Sequence, residues 1–160
     1  MSTTTFTELY CSSYARLVGQ VTVVTADVGA AEDAVQEAFG RLWTRWDVVS
    51  TYDRPEAWVR RVAVNVAISR WRRLRRFRPL GDTDRPAVDA ETGIDGDIGA
   101  ALRRLPVRQR QALLLHHVVG LPVAEVAREM GVAPGTVKSW LFRGRQALHG
   151  ALSIEEVPRG

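Results

Sequence analysis

The stretch "VAEVAREMGVAPGTVKSWLF", Val123 to Phe142, constrains the fold more than any other part of the chain. Val123, Val126, Ala127 and Met130 recur at helical spacing on one face. Gly131 follows, where a left-handed residue ends a helix at little steric cost. Pro134 then suits the first position of a second helix, because its missing N–H would have no partner there anyway. Val137, Leu141 and Leu148 form the inward stripe of that second helix, and small Ala127 lets the two helices cross closely. The pattern predicts two short helices joined by a tight corner, a helix-turn-helix whose second helix can lie in a DNA major groove.

The same corner can also do no more than pack two helices together with a solvated outer face. What favours nucleic acid is the outward surface. Lys138, Ser139, Phe142 and Arg143 share it, and no acid occurs between Pro134 and Leu152. The net charge of +4 over 160 residues makes a polyanionic partner plausible, and the placement of charge says more than the total. Eight arginines and no acid occupy 60–78, while Lys138 is the sole lysine of the chain.

Several classes are disfavoured. With 46% hydrophobic and 25% charged residues the composition is that of a soluble globular protein. No apolar run approaches the length of a membrane span, and the start, "MSTTTFTELY", lacks the basic-then-apolar order of a signal peptide, so the cytoplasm is the expected location. Cys11 is the only cysteine, and His116, His117 and His149 have no metal-ligand spacing. No phosphate loop, nucleophile elbow or other catalytic constellation is present, and no cofactor is implied.

Helical spacing divides the first half into three segments: Phe6 to about Thr25, with Leu9, Tyr10, Leu17, Val21 and Val24 on one side; Asp27 to Trp46; and Pro55 to about Arg76, with Trp58, Val62, Asn65, Val66, Ile68 and Trp71. The intervening "DVVSTYDRPE" reads as a polar loop. From Pro79 to Gly99 the chain turns rich in Gly, Pro and Asp, which marks a linker. Beyond it, "ALRRLPVRQRQALLLHHVVGLP" predicts a helical pair leading into the corner already described. The expected fold is all-α, with two small helical domains at 6–78 and 97–152 joined by a flexible linker at 79–96.

In this order the features resemble the extracytoplasmic-function sigma factors, the small two-domain group of the sigma-seventy superfamily, and within it the sigma-E-like branch common in actinobacteria. Three stretches carry the resemblance. "AAEDAVQEAFGRLWTRW" (30–46) is similar to the family's segment that docks on the clamp helices of RNA polymerase. "RPEAWVRRVAVNVAISRWRR" (54–73) resembles the segment that melts and reads the −10 element, and 105–148 resembles the domain that binds the −35 element.

The resemblance implies a promoter-specificity subunit whose partners are core RNA polymerase, promoter DNA and, in some members, an anti-sigma factor. Glu32, Asp33, Gln36 and Glu37 form a polar stripe that would face polymerase; taken alone, the stripe reads as a solvated helix face, and the resemblance reverses that. For −10 DNA the candidates are Trp58, Arg61, Asn65, Arg70, Trp71, Arg72 and Arg73. A basic surface with aromatics can follow a backbone while unstacked bases rest on rings, although both tryptophans can equally belong to the core. The family further implies that the loop from about Ser50 to Glu56 holds a flipped −10 base. For −35 DNA the candidates are Gly135, Thr136, Lys138, Ser139, Phe142, Arg143 and Arg145, with the helix N-terminus favouring phosphate. Trp140 stands where the family usually has Arg, which removes a charge, and its ring can pack beside Leu141. Gly144 replaces a typical Ala, at a helix-propensity cost of about 1 kcal/mol.

Extended, the linker spans at most roughly 60 Å, almost two turns of DNA at about 34 Å each. Two other classes remain at this stage. A stand-alone helix-turn-helix regulator would bind a palindrome without polymerase, and a helical adaptor would bind only proteins. Nothing reads as a dimer helix, so the free chain is expected to be a monomer.

Overall fold

The computed structural model describes residues 4–76 and 96–155, the side chains at the edges of these ranges excepted; the linker at 79–96 lies outside them but for its last residue. The chain divides into two compact units, 1–91 and 92–160, and all the regular structure among the described residues is helical.

In the first unit α1 (Phe6–Thr25), α2 (Val28–Thr44) and α4 (Pro55–Arg76) pack against one another in pairs. The start of α1 is fixed by a capping box: Thr5 Oγ1 accepts from the Glu8 N–H at 3.2 Å, and Glu8 Oε2 accepts from the Thr5 N–H at 2.9 Å. This T-x-x-E signature is visible in the sequence. Asp27 caps α2 through the Ala30 N–H. The core between the helices is built from Leu17, Val21, Val35, Phe39, Leu42, Val59 and Ala63.

Four expectations need correction here. The predicted second helix ends at Thr44, and a separate short helix, α3 (Trp46–Val49), occupies part of the presumed polar loop. Val49 is buried and anchors this turn, which sequence spacing misses because two adjacent valines are weak helix formers. Tyr10 is exposed, so it belongs to the rim of the bundle and not to its buried stripe. Asn65 is exposed and Trp58 and Trp71 are half-buried, so the inner side of α4 is made by Val59, Ala63, Val66 and Ala67. Arg60 is buried, so it does not share the exposed surface of Arg61, Arg72 and Arg73.

In the second unit α8 (Pro134–Glu155) packs on α5 (Gly96–Arg104), α6 (Val107–Leu113) and α7 (Val123–Met130). The predicted helical pair is α5 and α6, the latter continuing into a π-helical turn at Leu114–Val118. Gly120, at φ 89°, turns the chain out of it, and the His116 Nδ1–H donates to the Leu121 carbonyl at 2.8 Å. The corner forms as its residues dictate. Gly131 sits at φ 68°, the Val132 N–H returns to the Ala127 carbonyl at 3.0 Å, and Pro134 opens α8. Val126, Ala127, Met130, Val137 and Leu141 are buried, with Leu148 half-buried at the end of the stripe.

Candidate nucleic-acid interface

The outward side of α8 takes its composition from the helix period. With Val137 and Leu141 drawn into the core, Lys138, Ser139, Phe142, Arg143 and Arg145 are left exposed. Phe142 is 56% exposed, a large apolar ring on the same face as cations and a hydroxyl. Gly135 is exposed and Thr136 half-exposed in the first turn of α8. The structure therefore brings all seven sequence-predicted residues of this helix to solvent or to its edge.

Trp140 does not join them. It is half-buried, and the Arg108 guanidinium carbon lies 5.6 Å from its ring centre. The same guanidinium donates to the Met130 carbonyl at 3.0 Å. Arg108, from α6, thus holds the last turn of α7 and the first half of α8 together, a cation–π contact replacing the simple packing beside Leu141. Gly144 also has a structural reason. A Cβ there would lie 2.8 Å from Leu113 Cδ1, so the glycine allows α8 to approach α6 closely. Neither contact has a local sequence signal, since the partners are more than 30 residues apart.

In the first unit the seven residues proposed for −10 DNA separate into different surroundings. Arg61, Asn65 and Arg72 are exposed and follow one face of α4 at i, i+4 and i+11, with Trp58 half-buried at the start of that face. Arg73 is exposed farther round. Arg70 reaches instead to Glu37 on α2, and Trp71 is half-buried on another side. Trp58 also lines a shallow cleft with Thr44, Arg45, Asp47, Val48, Val49 and Tyr52. Tyr52, 47% exposed, was not singled out from sequence, although it stands in the loop the family resemblance points to.

The polar stripe of α2 is likewise divided. Glu32 and Asp33 are exposed and make no hydrogen bond or ion pair among the described residues. Gln36 Nε2 donates to Tyr14 Oη of α1 at 3.3 Å, and Glu37 holds Arg41 at 2.9 Å as well as Arg70. The stripe is tied to a neighbouring helix on each side. Beside it runs an aromatic ridge: Trp43, 67% exposed, meets Phe6 edge-on at 5.0 Å, and Tyr10 meets Phe39 at 4.8 Å.

Comparison with known proteins decides what these surfaces belong to. Residues 9–77 match the family model for sigma-70 region 2, and 95–148 that for sigma-70, region 4. The ECF RNA polymerase sigma factor SigL of Mycobacterium tuberculosis is 36% identical over 145 residues, covering 84% of this chain and 80% of that protein. The chain is an extracytoplasmic-function sigma factor. The RNA polymerase sigma-E factor of Streptomyces avermitilis is 30% identical over 132 residues, covering 79% of this chain and 73% of that one. Among solved structures, the sigma factor RpoE of Bartonella quintana, in complex with the anti-sigma factor NepR, shares the fold with a TM-score of 0.72 at 23% identity, covering 94% of this chain and 98% of that one. As a sigma factor, this chain serves promoter-directed transcription initiation, with core RNA polymerase and promoter DNA as its partners. No helix among the described residues is long and apolar enough to cross a membrane.

Proposed function

We propose a division of labour among the surfaces of this sigma factor. The N-terminal domain, 6–78, docks on core polymerase through Glu32, Asp33, Gln36 and Glu37. It engages the −10 element through Trp58, Arg61, Asn65 and the arginines 70, 72 and 73, with Trp71 at the edge of that surface. The cleft between Tyr52 and Trp58 receives an unstacked base. The C-terminal domain, 97–152, lays the first half of α8 in the major groove of the −35 element, with Lys138, Ser139, Phe142 and Arg143 toward base edges, and Gly135, Thr136 and Arg145 toward phosphates. The linker at 79–96 spans the two elements.

The observation that carries this reading is the acid-free, exposed face of α8 with Phe142 at its centre. A solvated face of a helical adaptor has no use for a half-exposed phenyl ring among cations, whereas a groove offers thymine methyls and phosphates to both. The protein works in the cytoplasm and performs no chemistry itself, bond formation being the polymerase's. A solved structure of this fold, the sigma factor RpoE of Bartonella quintana, is held by the anti-sigma factor NepR, and a protein of that kind is part of the proposal here.

Run-off transcription with purified core polymerase on genomic fragments tests it. A discrete set of start sites preceded by two separated, non-palindromic elements is the expected result. Nanomolar binding of the isolated protein to a palindrome, with no start sites, would overturn it in favour of a stand-alone regulator.

A further inference from the structure

The Glu37 carboxylate stands at the junction of two surfaces. It lies in the stripe of α2 that faces polymerase in the reading above, yet one oxygen accepts from Arg41, one turn along, and the other from Arg70 of α4. Arg70 in turn belongs to the helix that meets the −10 strand. We propose that Glu37 is a shared carboxylate that couples polymerase docking to −10 strand binding: in the free protein it holds Arg70 against α2, and a cation of polymerase takes its place and releases Arg70 to DNA phosphate. The proposal deepens, and rests on, the assignment of α2 to polymerase and α4 to DNA.

The physical argument is one of charge conservation around a cycle. A carboxylate holding two guanidinium groups forms a cluster of net charge +1, so a third cation is attracted fully only when one of the two departs. Arg41 sits on the same helix, one turn from Glu37. Arg70 comes from the neighbouring helix and has a polyanion beside it. The carboxylate keeps two cations before and after the exchange, while Arg70 trades a carboxylate for a phosphate. The side chains are partly exposed, 35% for Glu37 and 42% for Arg70, and an exposed pair of this kind is weak enough to be traded. Coupling of two ligands through one group is reciprocal: whatever polymerase does for DNA binding through Glu37, DNA held at Arg70 must do for polymerase binding, and removing Arg70 imitates its departure from Glu37.

That reciprocity gives an unusual expectation. Arg70→Gln removes a group of the DNA surface and should tighten the complex with core polymerase, by about two- to fivefold, the range of an exposed ion pair. Its affinity for a labelled single-stranded DNA 20-mer of mixed sequence should fall. Glu37→Gln should tighten binding of the same oligonucleotide by a comparable factor. Both measurements use the full chain, by fluorescence anisotropy, at about 150 mM salt, where distant charges are screened beyond roughly 8 Å. Arg61→Gln and Asp33→Asn are the controls for loss of one charge on the same helices; each should change the corresponding affinity less. In a Glu37→Gln background, Arg70→Gln should no longer affect polymerase binding. Unchanged or weaker polymerase binding by Arg70→Gln overturns the coupling. Asp33→Lys separates this from the underlying reading. If it leaves polymerase affinity intact, the assignment of α2 itself fails; if it weakens binding while Arg70→Gln has no effect, only the coupling fails.

Discussion

Gly144 of α8 lies directly against Leu113 of α6: a methyl group at its Cα would fall 2.8 Å from Leu113 Cδ1 and 3.1 Å from Cγ. Leu113 is buried and has little room to turn away. Gly144→Ala should therefore lose stability in spite of the better helix former. Overpacking costs about 1–3 kcal/mol against a propensity gain of about 1 kcal/mol, for a net loss of about 1 kcal/mol. Gly150, in the same helix, has no neighbour near its missing Cβ, and Gly150→Ala should stabilise by roughly 0.5 kcal/mol. Amide hydrogen exchange within α6 and α8 reads both; matching signs for the two variants would rule out the steric account.

What the sequence made legible is chemistry that residues carry locally. Gly131 and Pro134 fix the corner through their own backbone preferences, and the ends of α1 and α4 follow from apolar spacing and from Pro55. The exposed face of α8 follows from the same period. What was not legible depends on which distant groups meet. Arg70 joins Glu37 across 33 positions, Gln36 finds Tyr14 across 22, and Arg108 caps Met130 across 22. Those meetings split the polar stripe and the arginine-rich helix into parts that composition cannot separate. Glycine 144 looked like a defect because its reason sits on another helix. The Thr5–Glu8 capping box is different, being a local signature that could have been recognised.

Trp43 is the candidate apolar anchor of the face proposed to meet polymerase. It is largely exposed, lies one heptad beyond Gln36 on α2, and is steadied edge-on by Phe6. Interfaces concentrate their free energy in such aromatic residues ringed by polar groups. Trp43→Ala should weaken core polymerase binding by about 2 kcal/mol, while the thermal unfolding midpoint drops little, since most of the ring is already in water. A pull-down titration checks the first and circular dichroism the second. Undiminished polymerase affinity would place the anchor elsewhere.

His117 gives the second unit a pH dependence of defined sign. Partial burial, His116 and then Arg145 all disfavour its cation and hold it below the ordinary value of 6.5. With a folded value below the unfolded one, the unfolded state binds more protons in between, so stability rises with pH through that window. The contribution is intact above the ordinary imidazole range and is progressively lost as pH falls below it. His117→Asn should flatten the change in hydrogen-exchange protection of α8 between pH 7.5 and 5.5. An equal slope in wild type and variant would assign the dependence to other groups.

The recognition helix itself distinguishes reading from bracing. Arg143 is exposed on the face opposite the core, whereas Trp140, two turns of the chain from the corner, is turned toward Arg108. If Arg143 meets a base edge in a bidentate manner, Arg143→Ala should cost about 1–3 kcal/mol of affinity for the −35 element and relax specificity at one base pair. The fold should be unaffected, because the side chain is exposed, and so should the polymerase complex, which the proposed function assigns to α2. Trp140→Ala should behave in the reverse way. It removes the surface under the Arg108 guanidinium, worth about 0.5–1 kcal/mol at a partly exposed site, and so loosens the α6–α7–α8 junction. Affinity for all promoters should then fall together, with no change in the preferred sequence, because no groove contact is lost. Binding of both variants to a panel of single-base-pair changes in a mapped −35 element separates the two roles. A specificity change in Trp140→Ala would return that ring to the groove.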